Sequence, residues 1–193
     1  MAGIADTYEI HAFKTGALWR TWLLKHHAAA SGVWLRLYKK ASDMPSVTYA
    51  EALDEALCFG WIDGQKKSYD EVSFLQKFTP RREKSMWSKQ NIAHVARLTK
   101  AKRMMPAGVA EVTRAKKDGR WDAAYDKPSE MKVPAYFLQV LRAHPEAHTF
   151  FKTLNRANTY AIAWRLHTAK TEAARARRQE KLIALLREGK KLH

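Results

Sequence analysis

The sequence predicts an α+β fold: a small mixed α/β N-terminal region with few strands, followed by a mostly helical C-terminal region. Three observations predict it. Segments that alternate apolar with other residues occur before Pro80, apolar residues in later segments recur at helical spacing, and glycine or proline stands at many junctions. A polar connector over residues 121–134 predicts the boundary between a mixed domain, residues 1–121, and a helical region, residues 122–193.

The N-terminal region is predicted to hold its strands close together in the chain. Residues 17–30 have the apolar spacing of an amphipathic helix. Residues 33–40 alternate and predict a strand, and residues 72–79 predict a second strand that Pro80 ends. Residues 61–64 predict a turn or a short strand between them.

Helix termini are predicted from capping residues. The Thr48 hydroxyl can accept from the backbone N–H three residues on, and Glu51 can reach back, which forms a capping box. The helix that follows is predicted to stop at Gly60. Either Ser85 or Ser88 is predicted to cap the next helix.

The later part of the chain is predicted to be helical. Pro106 suits the first turn of one helix, which Gly119 closes, and two more helices are predicted to begin near Pro134 and Pro145. The last helix is predicted to set a short apolar stripe against a basic face. The stripe consists of Leu182, Ile183, Leu185 and Leu186.

The charge of the chain predicts an anionic partner. The net charge is +16, from 35 basic and 19 acidic residues, and residues 96–193 hold 22 of the basic and only 9 of the acidic ones. A field of that sign attracts phosphates, anionic lipid head groups or acidic partners. The alternative is a basic surface that aids solubility and has no dedicated partner.

Cysteine and histidine usage argues against a metal centre. Cys58 is the only cysteine, so neither an intramolecular disulfide nor a cysteine-based zinc site can form, and it is predicted to be a small core residue near a helix C-terminus. His144 and His148 are four residues apart, but no third ligand accompanies them. We expect neither metal nor cofactor. No secretory signal and no membrane-spanning apolar run is visible, so we expect a cytoplasmic location.

The stretch over residues 49–91 concentrates tryptophan, aspartate and arginine and predicts a ligand site. Its basic residues and serines could form an anion cradle, with Trp87 stacking on a base or sugar. The alternative is a capped helix whose arginines pair with nearby carboxylates. Two carboxylates there could serve acid–base chemistry, or could cap a turn and pair with a cation. The last helix could track a phosphate backbone or present a solvated face.

The candidate residues for ligand or anion binding are Trp61, Asp63, Lys66, Asp70, Arg81, Arg82, Ser85, Trp87, Ser88, Asn91, Arg175 and Arg178. No catalytic residue can be assigned, because no spacing matches a well-understood catalytic motif.

Four segments carry a family resemblance: EALCFGWIDG at residues 55–64, FTPRREKSMWSKQN at 78–91, AKKDGRW at 115–121 and KTEAARARR at 170–178. They resemble the YdeI/OmpD-associated family, also called bacteriocin-protection proteins. The resemblance implies protection against bacteriocins or cationic antimicrobial peptides, with an outer-membrane porin as an associated partner, and it supplies no catalytic residues. Residues 171–175, TEAAR, depart from the Glu-Thr-Arg that the family tends to show.

We therefore expect a non-enzymatic binding protein for an anionic partner, with nucleic acid as the first candidate, in a stress or antimicrobial-resistance role inside the cell. One alternative is an enzyme of unknown reaction with a pocket lined by Trp61, Asp63, Asp70, Arg81 and Trp87. Another is a scaffold in which the tryptophans only build the core. The sequence leaves the oligomeric state open.

Overall fold

The computed structural model describes residues 8–126, 130–169 and 171–192. The chain divides into two compact units, Met1–Ala124 and Tyr125–His193. A four-stranded sheet lies in the first unit and the second is helical, which confirms the predicted α+β class. The boundary predicted after residue 121 lies a few residues before the division between the units. Residues 127–129 of the predicted connector, and Lys170 in the last family-like segment, lie outside the described residues.

The elements of the first unit are β1 (Ile10–His11), α1 (Gly16–His26), β2 (Val33–Tyr38), a short 3-10 helix (Lys40–Ser42), α2 (Tyr49–Cys58), β3 (Trp61–Ser68), β4 (Ser73–Pro80), α3 (Lys89–Lys100) and α4 (Pro106–Lys117). Those of the second unit are α5 (Ala135–Arg142), α6 (Pro145–Lys152), α7 (Arg156–His167) and α8 (Glu172–Arg187).

The sheet has the strand order β1-β2-β4-β3, with β1 parallel to β2 and the other neighbours antiparallel. The sequence did not predict β1, because two residues are too short for an alternating pattern. It also predicted too short an element at residues 61–64, where β3 continues for eight residues. The pairing of β3 with β4 is irregular between Asp63 and Lys66, and the side-chain amide of Gln76 donates to the Gly64 carbonyl there at 2.9 Å.

The two faces of the sheet differ because successive strand residues point to opposite sides. Val33, Leu35 and Leu37 of β2 join the main hydrophobic core together with Phe78 of β4. Helices α1 and α2 complete that core with Trp19, Leu23, Ala52, Leu53, Ala56 and Leu57. The alternate residues of the same strands lie on the other face, and they include Trp34.

The predicted helix caps are confirmed in detail. The backbone N–H of Thr48 donates to Glu51 Oε2 at 2.8 Å, while the Glu51 N–H donates back to the Thr48 hydroxyl, which completes the capping box. Gly60 follows α2 with φ +75°, a conformation that favours glycine. Of the two serines considered, Ser88 caps α3, and Ser85 instead accepts from the backbone of Arg82 in the preceding turn.

The second unit has its own core between its helices. Its buried members are Phe137, Leu141, Ala147, Ile162, Leu166, Leu182, Ile183 and Leu186. Helices α7 and α8 are antiparallel, since Arg178 donates to the Arg165 carbonyl while the Leu192 N–H donates to Asn158. No helix among the described residues is long and apolar enough to cross a membrane.

Candidate functional site

The predicted anion cradle after β4 is closed in the structure. The guanidinium carbon of Arg81 lies 3.7 Å from the centroid of the Trp87 ring, and Arg81 Nη1 donates to the Met86 carbonyl at 3.2 Å. Trp121 packs against the same indole at 4.9 Å. Arg81 is 6% exposed and Trp87 is 2% exposed. A base could stack on Trp87 only if Arg81 moved away.

The polar residues beside this pair have local structural partners. Ser88 and Asn91 are buried, and the Asn91 N–H donates to the Ser88 hydroxyl at the start of α3. Ser85 accepts from the Arg82 N–H in the turn before it, and the Arg82 side chain is exposed. These residues therefore form the turn before α3 and its N-terminal cap. Among them, only Arg82 has a positively charged side chain exposed to solvent.

The predicted residues of β3 and the β3–β4 turn have side-chain hydrogen-bond partners other than Arg81 and Trp87. Trp61 is buried and its indole N–H donates to the His27 carbonyl at 3.1 Å. Asp63 accepts from the Tyr49 hydroxyl at 2.8 Å. Asp70 Oδ2 accepts from Arg36 at 2.6 Å. Hydrogen bonds, first from the Ser73 hydroxyl, hold the pKa of Asp70 below its usual range.

Cys58 is a fully buried core residue, as predicted. Burial raises the pKa of its thiol, so the protonated form is favoured. This makes a nucleophilic role for Cys58 unfavourable.

Four of the eight basic residues at positions 96–124 of the first unit are arginines that pair with carboxylates. Arg97 binds Asp54 at 2.6 Å, and Arg103 binds the buried Glu55. Two further arginines share another buried carboxylate, as Arg114 and Arg120 both bind Glu111. In the second unit, the predicted residues Arg175 and Arg178 have no carboxylate partner among the described residues. The arginines of α3 and α4 are therefore neutralised, whereas these two arginines of α8 are not.

The structure reveals a further cluster, which sequence reasoning missed. It occupies the sheet face opposite the core, called here the outer sheet face. This face comprises Trp34, Arg36 and Tyr38 of β2, Leu75 and Lys77 of β4, and Lys67 of β3. Trp34 pairs with Lys77, and Arg36 and Lys67 both pair with Leu75, so the strand register places these side chains side by side.

Each cation on the outer sheet face lies over an aromatic ring. Lys67 Nζ is 4.1 Å from the Trp34 ring centroid, and Lys77 Nζ is 5.8 Å from the same ring. The guanidinium carbon of Arg36 is 4.6 Å from the Tyr38 ring and 5.1 Å from that of Tyr69. Such contacts contribute about 0.5–1 kcal/mol each at exposed sites. They hold positive charge and flat apolar surface together on one face.

Trp34 is the feature of this face that a simple core does not explain. It is 2% exposed, yet it does not belong to the main hydrophobic core. Its indole N–H is buried and has no hydrogen-bond partner among the described residues. An unsatisfied buried donor costs about 1–3 kcal/mol. The ring is covered in part by the Lys67 amine, which is the end of a flexible side chain.

The sequence contained half of this signal. The alternation of Trp34, Arg36 and Tyr38 within β2 is visible in the residues 33–38, VWLRLY. The position of Lys67 beside Trp34 depends on the irregular register of β3, which no local pattern specifies. Lys66, one residue earlier, pairs with Gln76 and is on the other face, with its Nζ 4.0 Å from the Phe74 ring.

These features define an α+β protein with an aromatic and cationic sheet face in its first unit and a helical second unit. Residues 11–111 match the family model described as a domain of unknown function, DUF8412. This match covers just over half of the chain, and the chain therefore belongs to that family. Residues 130–189 match the model described as Bacteriocin-protection, YdeI or OmpD-Associated, which confirms the predicted resemblance.

The two matches divide the family-like segments between them. Residues 55–64 and 78–91 lie within the first match, and the segment at residues 170–178 lies within the second. The segment at residues 115–121 lies between them. Neither the search of curated proteins nor that of solved structures found a match.

Proposed function

We propose that this protein is a non-enzymatic binding protein for single-stranded nucleic acid and that the strand lies on the outer sheet face. The observation that carries the proposal is the Trp34 ring, buried outside the core beneath the Lys67 amine. Proteins that hold single strands combine aromatic platforms for the bases with cations that follow the phosphates. The outer sheet face supplies both within one plane of strands.

In the proposed binding step, a nucleic-acid base replaces the Lys67 amine as the group that covers the Trp34 ring. A base that stacks on this face displaces the Lys67 amine from the ring, and the amine then pairs with the adjacent phosphate. Stacking of a base on an aromatic side chain contributes about 1–3 kcal/mol. That gain is similar to the cation–π attraction that it replaces, which is about 2 kcal/mol for a ring as buried as Trp34. The new pairing of the Lys67 amine with a phosphate therefore decides the sign of the exchange.

A single strand fits this face better than a duplex does. Bases within a duplex are stacked on each other and cannot reach a flat protein surface without being pulled out. Tyr69 is 49% exposed and extends the aromatic surface beyond Trp34. Arg36 is held by Asp70 at 2.6 Å, so it positions Tyr38 and Tyr69 more than it attracts phosphate. Lys67 is the cation proposed to follow the strand.

The test is anisotropy of a fluorescein-labelled oligothymidylate, titrated with protein at several salt concentrations. We expect binding at low salt that weakens linearly with the logarithm of salt, by a slope of about −0.7 for each phosphate contacted. Lys67→Ala should reduce that slope by about 0.7 and weaken binding several-fold. Tyr69→Ala should weaken binding with the slope unchanged, because it removes stacking and no charge.

Lys66→Ala is the matched control. It removes the same charge from the neighbouring position of β3, but from the opposite face. Equal losses for Lys66→Ala and Lys67→Ala would show that total charge decides binding and would refute the outer sheet face as the site. Absence of binding at low salt, or equal affinity for a duplex of the same length, would refute the single-strand function.

The proposed cellular role is indirect. A protein with a net charge of +16 repels cationic peptides, so capture of a bacteriocin by this surface is unfavourable. We propose that any protection against such peptides, or association with a porin of the kind named by the family, follows from nucleic-acid binding inside the cell. The enzyme alternative required a pocket shared by Trp61 and Trp87, and both rings are instead buried in packing contacts.

A further inference from the structure

We propose that the second unit binds a small amphipathic molecule with one oxyanionic head group, in a groove between α7 and α8. The groove has a volume of about 710 Å³, which is within the range of small-molecule sites. This proposal concerns a different unit from the outer sheet face and does not rest on nucleic-acid binding.

The groove is cationic at one end. The side chains of Arg165, Arg178 and Lys181 line it there, together with Thr168. None of the described residues that line the groove is acidic, and no described carboxylate forms an ion pair with these three cations. The arginines of α3 and α4, in contrast, meet carboxylates. A cluster of cations without counter-charge favours an anion.

Arg178 is held in place at this end. Its Nη1 donates to the Arg165 carbonyl at 2.6 Å and to the Thr168 hydroxyl at 2.9 Å. These bonds also satisfy acceptors at the C-terminal end of α7. A guanidinium has five N–H donors, and no other hydrogen bond of Arg178 occurs among the described residues. The group is therefore pre-positioned to donate to a carboxylate or phosphate oxygen.

The other end of the groove is apolar. Because α7 and α8 are antiparallel, the residues farthest from Arg178 meet there, and they include Ala161, Leu185 and Leu192. The Leu192 N–H donates to Asn158 Oδ1 at 2.9 Å, which fixes the chain after α8 as one wall. Asn158 is 1% exposed, so this anchor is itself buried.

The aromatic side of the groove links the two ends. Tyr160 and Trp164 line it, and Tyr125 packs edge-on against Trp164 with ring centroids 4.4 Å apart. The helix segment from Tyr160 to Thr168 spans about 12 Å at 1.5 Å per residue. A medium-length alkyl chain lies along such a distance with its head group at Arg178. The occupant is thus an amphiphile with a single oxyanion, such as an alkyl carboxylate or alkyl phosphate.

The experiment is calorimetric titration of the full chain with decanoate, decyl phosphate, decanol and decyltrimethylammonium, each below its micelle concentration. We expect both anions to bind, and decanol to bind about tenfold more weakly because it lacks the charge-assisted hydrogen bonds. The relative affinity of the two anions distinguishes a carboxylate from a phosphate head group. Equal binding of decanol and decanoate, or binding of the cationic amphiphile, would overturn the proposal.

Variants locate the site. Lys181→Ala should weaken decanoate binding about tenfold and leave decanol unchanged. Arg177→Ala, one residue before Arg178 on α8 and outside the groove, is the matched control and should bind both as the native chain does. Leu185→Gln should weaken both ligands. Lys181→Ala is preferred to Arg178→Ala, since Arg178 also ties α8 to α7.

Two further results would overturn the proposal. Equal losses for Lys181→Ala and Arg177→Ala would indicate attraction by net charge alone. Displacement of decanoate by oligothymidylate would show that the groove takes nucleic acid. Decanoate binding that survives Lys67→Ala, with oligonucleotide binding that survives Lys181→Ala, would separate this groove from the outer sheet face.

Discussion

Replacement of Gly108 by alanine tests how tightly α4 packs on the end of α2. A Cβ atom at Gly108 would lie 2.2 Å from the carbonyl oxygen of Cys58 and 2.9 Å from that of Leu57. Both are backbone atoms, so no side-chain rotation can relieve the clash. The N–H of Met105 donates to the same Cys58 carbonyl at 3.0 Å, which ties the start of α4 to this point.

The size of the effect follows from this geometry. Ordinary contact of a Cβ begins near 3.4 Å, so α4 must move by about 1 Å. Overpacking of this kind costs about 1–3 kcal/mol, and breaking the Met105 hydrogen bond costs about 1 kcal/mol. Alanine is more favourable than glycine within a helix by about 1 kcal/mol, which offsets part of the destabilisation. We expect Gly108→Ala to lower the free energy of unfolding by about 2 kcal/mol.

The assay is urea unfolding followed by tryptophan fluorescence. Six of the seven tryptophans lie in the first unit, so the signal reports mainly on the unit that contains Gly108. Gly16→Ala is the control. Gly16 is the first residue of α1, and a Cβ atom there would lie 3.5 Å from Glu51 Cβ, which is an ordinary contact distance. The control should be as stable as the native chain or slightly more so. A Gly108→Ala midpoint equal to that of Gly16→Ala would refute the reasoning.

Two other predictions separate structural from ligand roles. Arg81→Ala should destabilise the first unit by about 2–4 kcal/mol, because it removes the buried guanidinium from the Trp87 ring and its bond to the Met86 carbonyl. The affinity for oligothymidylate should stay unchanged. A native unfolding midpoint with reduced affinity would instead restore the anion-cradle hypothesis. Glu51 has a lowered pKa, first because the Thr48 N–H donates to it and then because the hydroxyl does. A carboxyl group whose pKa is lowered in the folded state stabilises the protein above the ordinary carboxyl range, and this stability is lost as pH falls through the folded pKa. Glu51→Gln should therefore flatten the fall of Tm between about pH 6 and about pH 3. Parallel plots of Tm against pH for the variant and the native chain would contradict this.

The parts of the fold that were predictable depend on neighbouring residues. Thr48 and Glu51 are three residues apart, and the capping box that they form needs no distant partner. Gly60 and Pro106 act at the helix end or start where they stand. The strand β1 and the full length of β3 could not be predicted, because pairing with β2 and β4 decides them.

The candidate site shows the same division. The sequence places Arg81 and Trp87 in one candidate site, but it does not show whether a basic and an aromatic residue six positions apart face solvent or each other. Lys67 is not among the predicted site residues, since its significance comes from Trp34, which is 33 residues away in the chain. The positive charge of α8 was predictable as composition, and the groove that it lines was not.

The sequence by itself determined the α+β class, the resemblance to the YdeI/OmpD-associated family, the helix caps and the strongly basic character of this chain, because each depends on residue type or on spacing within a turn or two. Only the tertiary structure decided where the positive charge is neutralised and where it is left over. Strand register and helix packing bring together residues far apart in the chain, so carboxylates meet the arginines of α3 and α4, while lysine amines meet aromatic rings on the outer sheet face. Local pattern carries no information about such distant pairings.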